Sequence, residues 1–185
     1  MLEPALLSSY RSCSFPDGMT KVLITNGYPY DIGPPTEIID LMNPDFKCSL
    51  KDFPQKLYGA VGGLVSGKPL ICGGYVEGLG VSDDCYTYQN NDWVLAETKL
   101  TVKSSNAGHQ GLVIDNKLVV SGGYSAIDST ELVDLEGSES SVTLPFKLWS
   151  HCQVAWGYKS YMTIGGRVGT VYKKETVIVN IDTER

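Results

Sequence analysis

A short run of apolar residues that ends in two glycines and an aromatic residue recurs along the chain. In the clearest copy the run Leu118–Val120 leads through Ser121 into Gly122-Gly123-Tyr124. The run is short and rich in Val, which predicts a buried strand and not a helix. The two glycines predict a backbone with positive φ, or one that passes close to another segment.

The same pattern occurs three more times, with Arg in place of the aromatic residue in the last copy. The other copies end in Asn26-Gly27-Tyr28, Gly73-Gly74-Tyr75 and Gly165-Gly166-Arg167. Asn replaces glycine in the first copy, and it is among the residues that best tolerate left-handed backbone geometry. The last glycines are at positions 27, 74, 123 and 166, so the spacings are 47, 49 and 43 residues. Repeats of this length point to the blades of a β-propeller.

Each unit is predicted to be a meander of four antiparallel strands. A strand precedes the glycine run through a tight polar turn such as Asp115-Asn116, which is a hairpin signal. A polar loop and an alternating third strand follow, as in Glu131–Leu135. A fourth strand starts near a large apolar residue 19 positions after the last glycine, and these residues are Phe46, Trp93 and Val142. The units span approximately 10–57, 58–106, 107–148 and 149–185.

These features resemble the kelch repeat. The residues that carry the resemblance are Gly73-Gly74-Tyr75, Gly122-Gly123-Tyr124, Gly165-Gly166 and Trp93. The resemblance covers nearly the whole chain and implies an all-β fold, a kelch-type β-propeller of about four blades or an open arc of one. Two departures are Asn26-Gly27 in the first unit and the replacement of the tryptophan by Phe46 or Val142 in two units.

The ends of the chain leave two interpretations open. The last unit ends after its third strand, and residues 1–9 stand where a fourth strand would be. The N-terminal segment can complete the last blade, as kelch propellers commonly close. Alternatively, the chain is a fragment of a longer propeller, which we favour because the family usually has more than four blades.

Composition argues against several classes of partner. The chain has 15 basic and 21 acidic residues, and its net charge of −6 argues against a nucleic-acid partner. No apolar run approaches the roughly 18 residues of a membrane-spanning helix, so no membrane insertion is expected. The first residues lack the basic start and apolar core of a signal peptide. We expect a soluble protein, with a slight preference for the cytoplasm and an extracellular location left open.

The five cysteines allow two interpretations. They contain no Cys-x-x-Cys pair, so a zinc site is not expected. One interpretation is that they are buried thiols in a reducing compartment. The other is a disulfide between Cys72 and Cys85, which fall on strands that could be neighbours.

Residues that could suggest an enzyme have structural interpretations. The stretch 62–68 matches the Gly-x4-Gly-Lys part of a phosphate-binding loop, but Pro69 follows and no helix is predicted there. His109 and His151 occupy equivalent places in different units, which is typical of packing or hydrogen bonding. We therefore predict no catalytic residue, no metal ligand and no cofactor, and hence a protein that is not an enzyme.

The resemblance implies a protein-interaction scaffold. The residues just after the glycine pairs, which are Tyr28, Tyr75, Tyr124 and Arg167, are expected near one mouth of the central channel, where they would bind a protein or peptide. Tyr and Arg are enriched at binding hot spots. The alternative is that each Tyr only packs over a neighbouring glycine backbone. Two other functions stay open: the substrate-recognition module of a cullin-type ubiquitin ligase adaptor and, less favoured, a galactose-oxidase-like catalytic propeller.

Overall fold

The computed structural model describes residues 21–25, 36–103, 112–124 and 127–181. Every element of secondary structure assigned in these ranges is a β-strand, and all the strand pairings are antiparallel. The all-β prediction is confirmed. The same ranges contain no helix of the length and hydropathy needed to cross a membrane.

The strands in these ranges are numbered in chain order. They are β1 (Lys21–Ile24), β2 (Thr36–Asp40), β3 (Asn43–Leu50), β4 (Leu57–Tyr58), β5 (Val61–Val65), β6 (Lys68–Cys72), β7 (Tyr75–Val76), β8 (Gly80–Val81), β9 (Asp84–Gln89), β10 (Asp92–Lys99), β11 (Leu112–Ile114), β12 (Lys117–Gly123), β13 (Ile127–Val133), β14 (Ser138–Thr143), β15 (Cys152–Ala155), β16 (Ser160–Ile164), β17 (Arg167–Val168), β18 (Val171–Tyr172) and β19 (Thr176–Asn180).

Four larger sheets follow one another along the chain. The first sheet has the order β1-β2-β3, the second β10-β9-β6-β5, the third β11-β12-β13-β14 and the fourth β15-β16-β19. The second and third sheets are the predicted meanders of four strands. The first and fourth contain three strands within the described ranges, and one sheet lies in each of the four predicted units.

The core lies in layers between consecutive sheets, and the third sheet shows how the sequence builds them. Leu118 and Val120 on β12 pack against the second sheet, whereas Val119 between them packs against the fourth. Successive residues of a strand point to opposite faces. A sheet buried on both faces therefore needs a continuous apolar run and not an alternating one.

The second, third and fourth sheets approach one another through their first strands. The first strand of the third sheet, β11, lies against both β5 and β15. Gly63 on β5 leaves space that the side chain of Val113 on β11 fills. The turn after β5 has positive φ at both Ser66 and Gly67, as a type I′ hairpin requires. The stretch that resembles a phosphate-binding loop is therefore a strand followed by the tight turn that the repeat predicts before the glycine run.

The glycine pairs end their strands in a left-handed conformation. Both residues have positive φ in each pair that the structure describes, which are Gly73-Gly74, Gly122-Gly123 and Gly165-Gly166. In the second and fourth sheets, the segment that enters the sheet crosses directly over the pair. A Cβ on Gly74 would lie 2.7 Å from Leu57 Cδ1 and 3.0 Å from the carbonyl oxygen of Tyr58. Both reasons predicted for glycine at this position, positive φ and close approach, are confirmed.

The segments after the glycine pairs, predicted as polar loops, contain short strands. After Gly74, β7 and β8 form a small hairpin, and β4 pairs with its other edge. After Gly166, β17 and β18 form the equivalent hairpin. The prediction of irregular loops is wrong here because the crossing segment offers backbone groups with which the chain can pair.

Trp93 is the second residue of β10 and is buried between the first and second sheets. Its Nε1 donates a hydrogen bond of 3.1 Å to the carbonyl oxygen of Lys51, and its ring centroid lies 5.1 Å from those of Phe53 and Tyr88. Phe46 packs at the edge of the same apolar cluster. Trp93 thus holds the linker between these two sheets against the second sheet.

Cys72 and Cys85 form a disulfide between directly opposed residues of β6 and β9. Both residues are buried, and their Cα atoms are 4.1 Å apart. For this pair the structure therefore contains the disulfide, which was one of the two interpretations that the sequence left open. Such bonds are typical of proteins that fold in an oxidising environment. Cys152, by contrast, is a free thiol on the surface.

A buried carboxylate joins the second and third sheets. Glu131 on β13, only 3% exposed, accepts hydrogen bonds from the backbone N–H groups of Thr101 (2.7 Å) and Val102 (3.0 Å). The hydroxyl of Ser138 donates a third hydrogen bond, of 2.8 Å. The linker that leaves the second sheet is thereby held by a side chain of the third.

The fourth sheet has one covered and one exposed face. Tyr161 and Val179 pack against the third sheet, while Val154, Ile164 and Ile178 on the opposite face are exposed. The second sheet, by contrast, is covered on both faces.

The crossing at the glycine pair predicts unequal costs for two alanine substitutions. Gly74 and Gly78 both have positive φ, but a Cβ on Gly78 would meet no atom within 4 Å. We expect Gly78→Ala to lower the free energy of unfolding by about 1 kcal/mol. We expect Gly74→Ala to lower it by about 3 kcal/mol, because a steric clash is added to the backbone strain. Urea denaturation measures both, and equal losses would contradict the crossing.

The Glu131 contacts predict a second difference. Glu131→Gln keeps the shape but removes the charge and one acceptor, so we expect a loss of about 2 kcal/mol in the free energy of unfolding. Glu139→Gln is the control, because Glu139 is an exposed partner of Lys117 and should contribute about 0.5 kcal/mol or less. Similar losses in the two variants would rule out a holding role for Glu131.

Candidate functional site

Four side chains gather at the glycine-pair end of the third and fourth sheets. They are Tyr124, Trp149, Arg167 and Tyr172, and we call them the Trp149 cluster. The rings of Tyr124 and Trp149 are nearly perpendicular, with centroids 5.0 Å apart. The Arg167 Cζ lies 4.5 Å from the Trp149 centroid and 4.8 Å from that of Tyr172. The guanidinium group is thus held against two aromatic rings.

The glycine turns bring these residues together from three separate segments. Tyr124 directly follows Gly122-Gly123, and Arg167 directly follows Gly165-Gly166. Trp149 lies on the linker between the third and fourth sheets. Its backbone exchanges two hydrogen bonds with that of Arg167, of 2.8 and 3.0 Å. Tyr172 is the residue of β18 that pairs with Arg167.

The cluster has a held centre and an exposed periphery. Trp149 and Arg167 are half-buried, whereas Tyr124 is 64% and Tyr172 75% exposed. Val171, next to Tyr172, is exposed as well. Ordered aromatic surface of this kind can be buried by a binding partner without rearrangement of the backbone.

A smaller counterpart occupies the equivalent place in the second sheet. The ring centroids of Tyr58 and Tyr75 are 5.1 Å apart. Tyr58 pairs with Tyr75 across β4 and β7 as Trp149 pairs with Arg167. The arrangement is therefore repeated, with a Tyr in place of the arginine.

The structure brings together two of the four residues predicted for partner binding. Tyr124 and Arg167 both contact Trp149, whereas Tyr75 belongs to the counterpart pair. The prediction for Tyr28, like those for Asn26 and Gly27, falls outside the described residues.

Sequence reasoning missed Tyr58, Trp149 and Tyr172. A signal for the first two was present, because an aromatic residue follows a leucine in both Leu57-Tyr58 and Leu148-Trp149. These aromatics stand 16 and 17 residues before the last glycine of their units, at positions 74 and 166. Tyr172 had no counterpart in the other units that could have revealed it.

A buried polar group fixes the linker below the cluster. His151 lies two residues after Trp149, and its Nε2 is 3.1 Å from the hydroxyl of Ser121, which precedes the glycine pair of the third sheet. The amide of Gln153 donates to the same hydroxyl. All three side chains are buried, so this Ser–His contact is closed to a substrate and connects the two sheets.

Tyr161 adds a second polar contact in the same layer. Its hydroxyl lies 2.7 Å from that of Thr130. Burial raises the pKa of Tyr161 above its ordinary value, and hydrogen bonds with Thr130 and Ser121 partly offset this effect. The neutral phenol is therefore the form that the folded protein favours.

The segment beside Arg167 carries further charges. The Lys173 ammonium lies 4.7 Å from the centroid of the Phe146 ring and 4.0 Å from the Glu175 carboxylate. Hydrogen bonds from the backbone N–H groups of Glu175 and Lys174 lower the pKa of Glu175 and keep it ionised. In the described part of the chain, no three His, Cys, Asp or Glu side chains are placed to hold a metal ion together.

Comparison with known proteins places the fold but not the function. No protein-family model matches the chain, and no curated protein matches it significantly. Among solved structures, 138 chains are similar. One of them, the structure of YjhT, superposes on 90% of this chain with a TM-score of 0.75 and 16% sequence identity. The match covers 60% of the YjhT chain. At this level of identity the similarity shows a shared fold alone.

The raised pKa of Tyr161 predicts a pH dependence. A folded-state pKa above the unfolded value gives a contribution that is complete below about pH 10 and is lost as the pH rises through the folded-state pKa. We expect Tyr161→Phe to lose less stability than the wild type between about pH 9 and pH 11. Urea denaturation across this range measures it, with the exposed Tyr158→Phe as the control. Parallel curves for the wild type and Tyr161→Phe would contradict the assignment.

Proposed function

We propose that the chain is an arc of a kelch-type β-propeller that acts as a non-enzymatic scaffold for protein–protein interaction. A partner protein or peptide docks on the glycine-pair end of the sheets. The observation that carries the proposal is the Trp149 cluster, in which exposed tyrosines stand on a held tryptophan–arginine pair.

The order of the sheets supports the propeller architecture. Each sheet is a meander, consecutive sheets pack face to face, and β11 lies against the first strands on both of its sides. First strands that meet while the meanders extend away from them are what a radial arrangement requires. The fourth sheet has an exposed apolar face, whereas both faces of the second sheet are covered by neighbouring sheets. A further blade could cover the exposed face in the same way.

The chemistry of the cluster favours a protein partner. Trp, Tyr and Arg are the residues most enriched at interaction hot spots, and aromatic rings supply large contact areas at low cost in conformational entropy. The counterpart pair, Tyr58 and Tyr75, lies at the equivalent end of its own sheet, so a long partner segment could contact more than one blade.

Alanine variants test the docking face. We expect Tyr75→Ala, Tyr124→Ala and Tyr172→Ala each to weaken partner binding by about 1–2 kcal/mol without unfolding the protein. Affinity capture from extracts of the source organism, with quantitative mass spectrometry, identifies the partner. Titration of the purified partner then gives the affinity of each variant.

The opposite end of the fourth sheet provides a matched control. Trp156 and Tyr158 are 53% and 81% exposed and lie in the β15–β16 hairpin, at the other end of β16 from Arg167. Trp156→Ala and Tyr158→Ala should leave binding unchanged. Binding lost in these variants and retained in Tyr124→Ala and Tyr172→Ala would refute the proposed face.

A further inference from the structure

The guanidinium group of Arg167 is fixed in position by its surroundings. It lies against the rings of Trp149 and Tyr172, and two backbone hydrogen bonds with Trp149 fix the main chain of the residue. These contacts place two aromatic rings beside the guanidinium group, whose edge carries five N–H donors for hydrogen bonds. The edge is therefore oriented before any ligand arrives.

That edge has no acceptor among the described residues. The Arg167 Nε is buried without a hydrogen-bond partner, and none of the ion pairs in the described part of the chain includes Arg167. A buried donor that is left unpaired costs about 1–3 kcal/mol. The fold thus maintains an oriented cation whose donors are not used within these ranges.

The local charge around Arg167 is opposite to that of the whole chain. The segments 146–149 and 167–175 contain four basic residues, Lys147, Arg167, Lys173 and Lys174, and a single acidic one, Glu175. Glu175 lies near Lys173 and makes no ion pair with Arg167. These segments are therefore cationic in a chain whose net charge is −6.

We propose that the Trp149 cluster recognises a carboxylate in an extended segment of a partner protein. An Asp or Glu side chain accepts two hydrogen bonds from the two Nη groups of Arg167, because the buried Nε is out of its reach. An apolar neighbour in the partner covers Tyr124 or Tyr172. The planar fork of one arginine binds one carboxylate through two parallel hydrogen bonds. This inference rests on the proposed function and specifies the chemistry of its partner.

Selection from a phage-displayed library of random 12-residue peptides tests the proposal. Wild-type protein should enrich peptides that contain Asp or Glu beside an apolar residue. Arg167→Gln should enrich no acidic peptides, and it should bind the peptides selected on the wild type about tenfold more weakly. Arg167→Lys keeps the charge but not the fork, so its loss should be smaller than that of Arg167→Gln.

Lys159→Gln is the matched control. The Lys159 ammonium lies 5.5 Å from the centroid of the Tyr158 ring, so it is also a cation beside an aromatic residue, at the opposite end of the sheet. Peptide selection and affinity should be unchanged in this variant. Thermal unfolding of each variant shows that it is folded at the temperature of the assay.

The outcomes separate this inference from the proposed function. Loss of peptide binding in Tyr124→Ala but not in Arg167→Gln would contradict carboxylate recognition by Arg167. The proposal of the docking face would then still stand. Enriched peptides without acidic residues would have the same two consequences. If a peptide with phosphoserine in place of the Glu bound tenfold more tightly, the preferred ligand of Arg167 would be a phosphoryl group and not a carboxylate. Failure to select any peptide on the wild type would count against both the carboxylate and the docking face.

Discussion

The passage of the incoming linkers of the second and fourth sheets over a glycine pair is the contact on which the rest of the structure depends. The carbonyl oxygens of Tyr58 and Trp149 lie 3.0 Å from the positions where side chains would begin on Gly74 and Gly166. Only a residue without a Cβ fits such a crossing, and the left-handed φ at both positions requires the same residue type. The crossing fixes where the strand stops, where the next small hairpin starts and which residue reaches the surface beside it.

Close crossings bring backbone polar groups into the interior, and the structure satisfies them in two ways. Near the glycine pairs the backbone pairs with itself, since the carbonyl oxygens of Gly74 and Gly166 accept hydrogen bonds of 2.9 Å from the N–H groups of Ser82 and Lys173. Between the second and third sheets a side chain, Glu131, accepts from the linker instead. These backbone polar groups thus have hydrogen-bond partners in each case, but the partner is a backbone group in one place and a side chain in the other.

The sequence predicts local features well because they depend on neighbouring residues. The buried strand at Leu118–Val120, the positive φ of the glycine pairs and the tight turn at Asp115-Asn116 all follow from residue types within one short stretch. The long apolar strands and their order are consequences of the same patterns.

Features that depend on register and on distant segments could not be predicted in this way. The Cys72–Cys85 bond remained one of two interpretations, because it requires that β6 and β9 pair in one register across the two intervening short strands. The contact of Trp149 with Arg167 and Tyr124 requires the positions of two sheets at once. The hairpin strands β17 and β18 contain only two residues each, too few to form a detectable pattern.

The layered core has a consequence for the history of such a chain. The three apolar layers each join one sheet to the next in order, so the packing of one layer makes few demands on the others. Duplication or deletion of a whole sheet would carry its own crossing and its own half of each layer with it. Divergence can then proceed sheet by sheet. This would account for units that carry different residues at equivalent places, such as Tyr58 and Tyr75 in one and Trp149 and Arg167 in another.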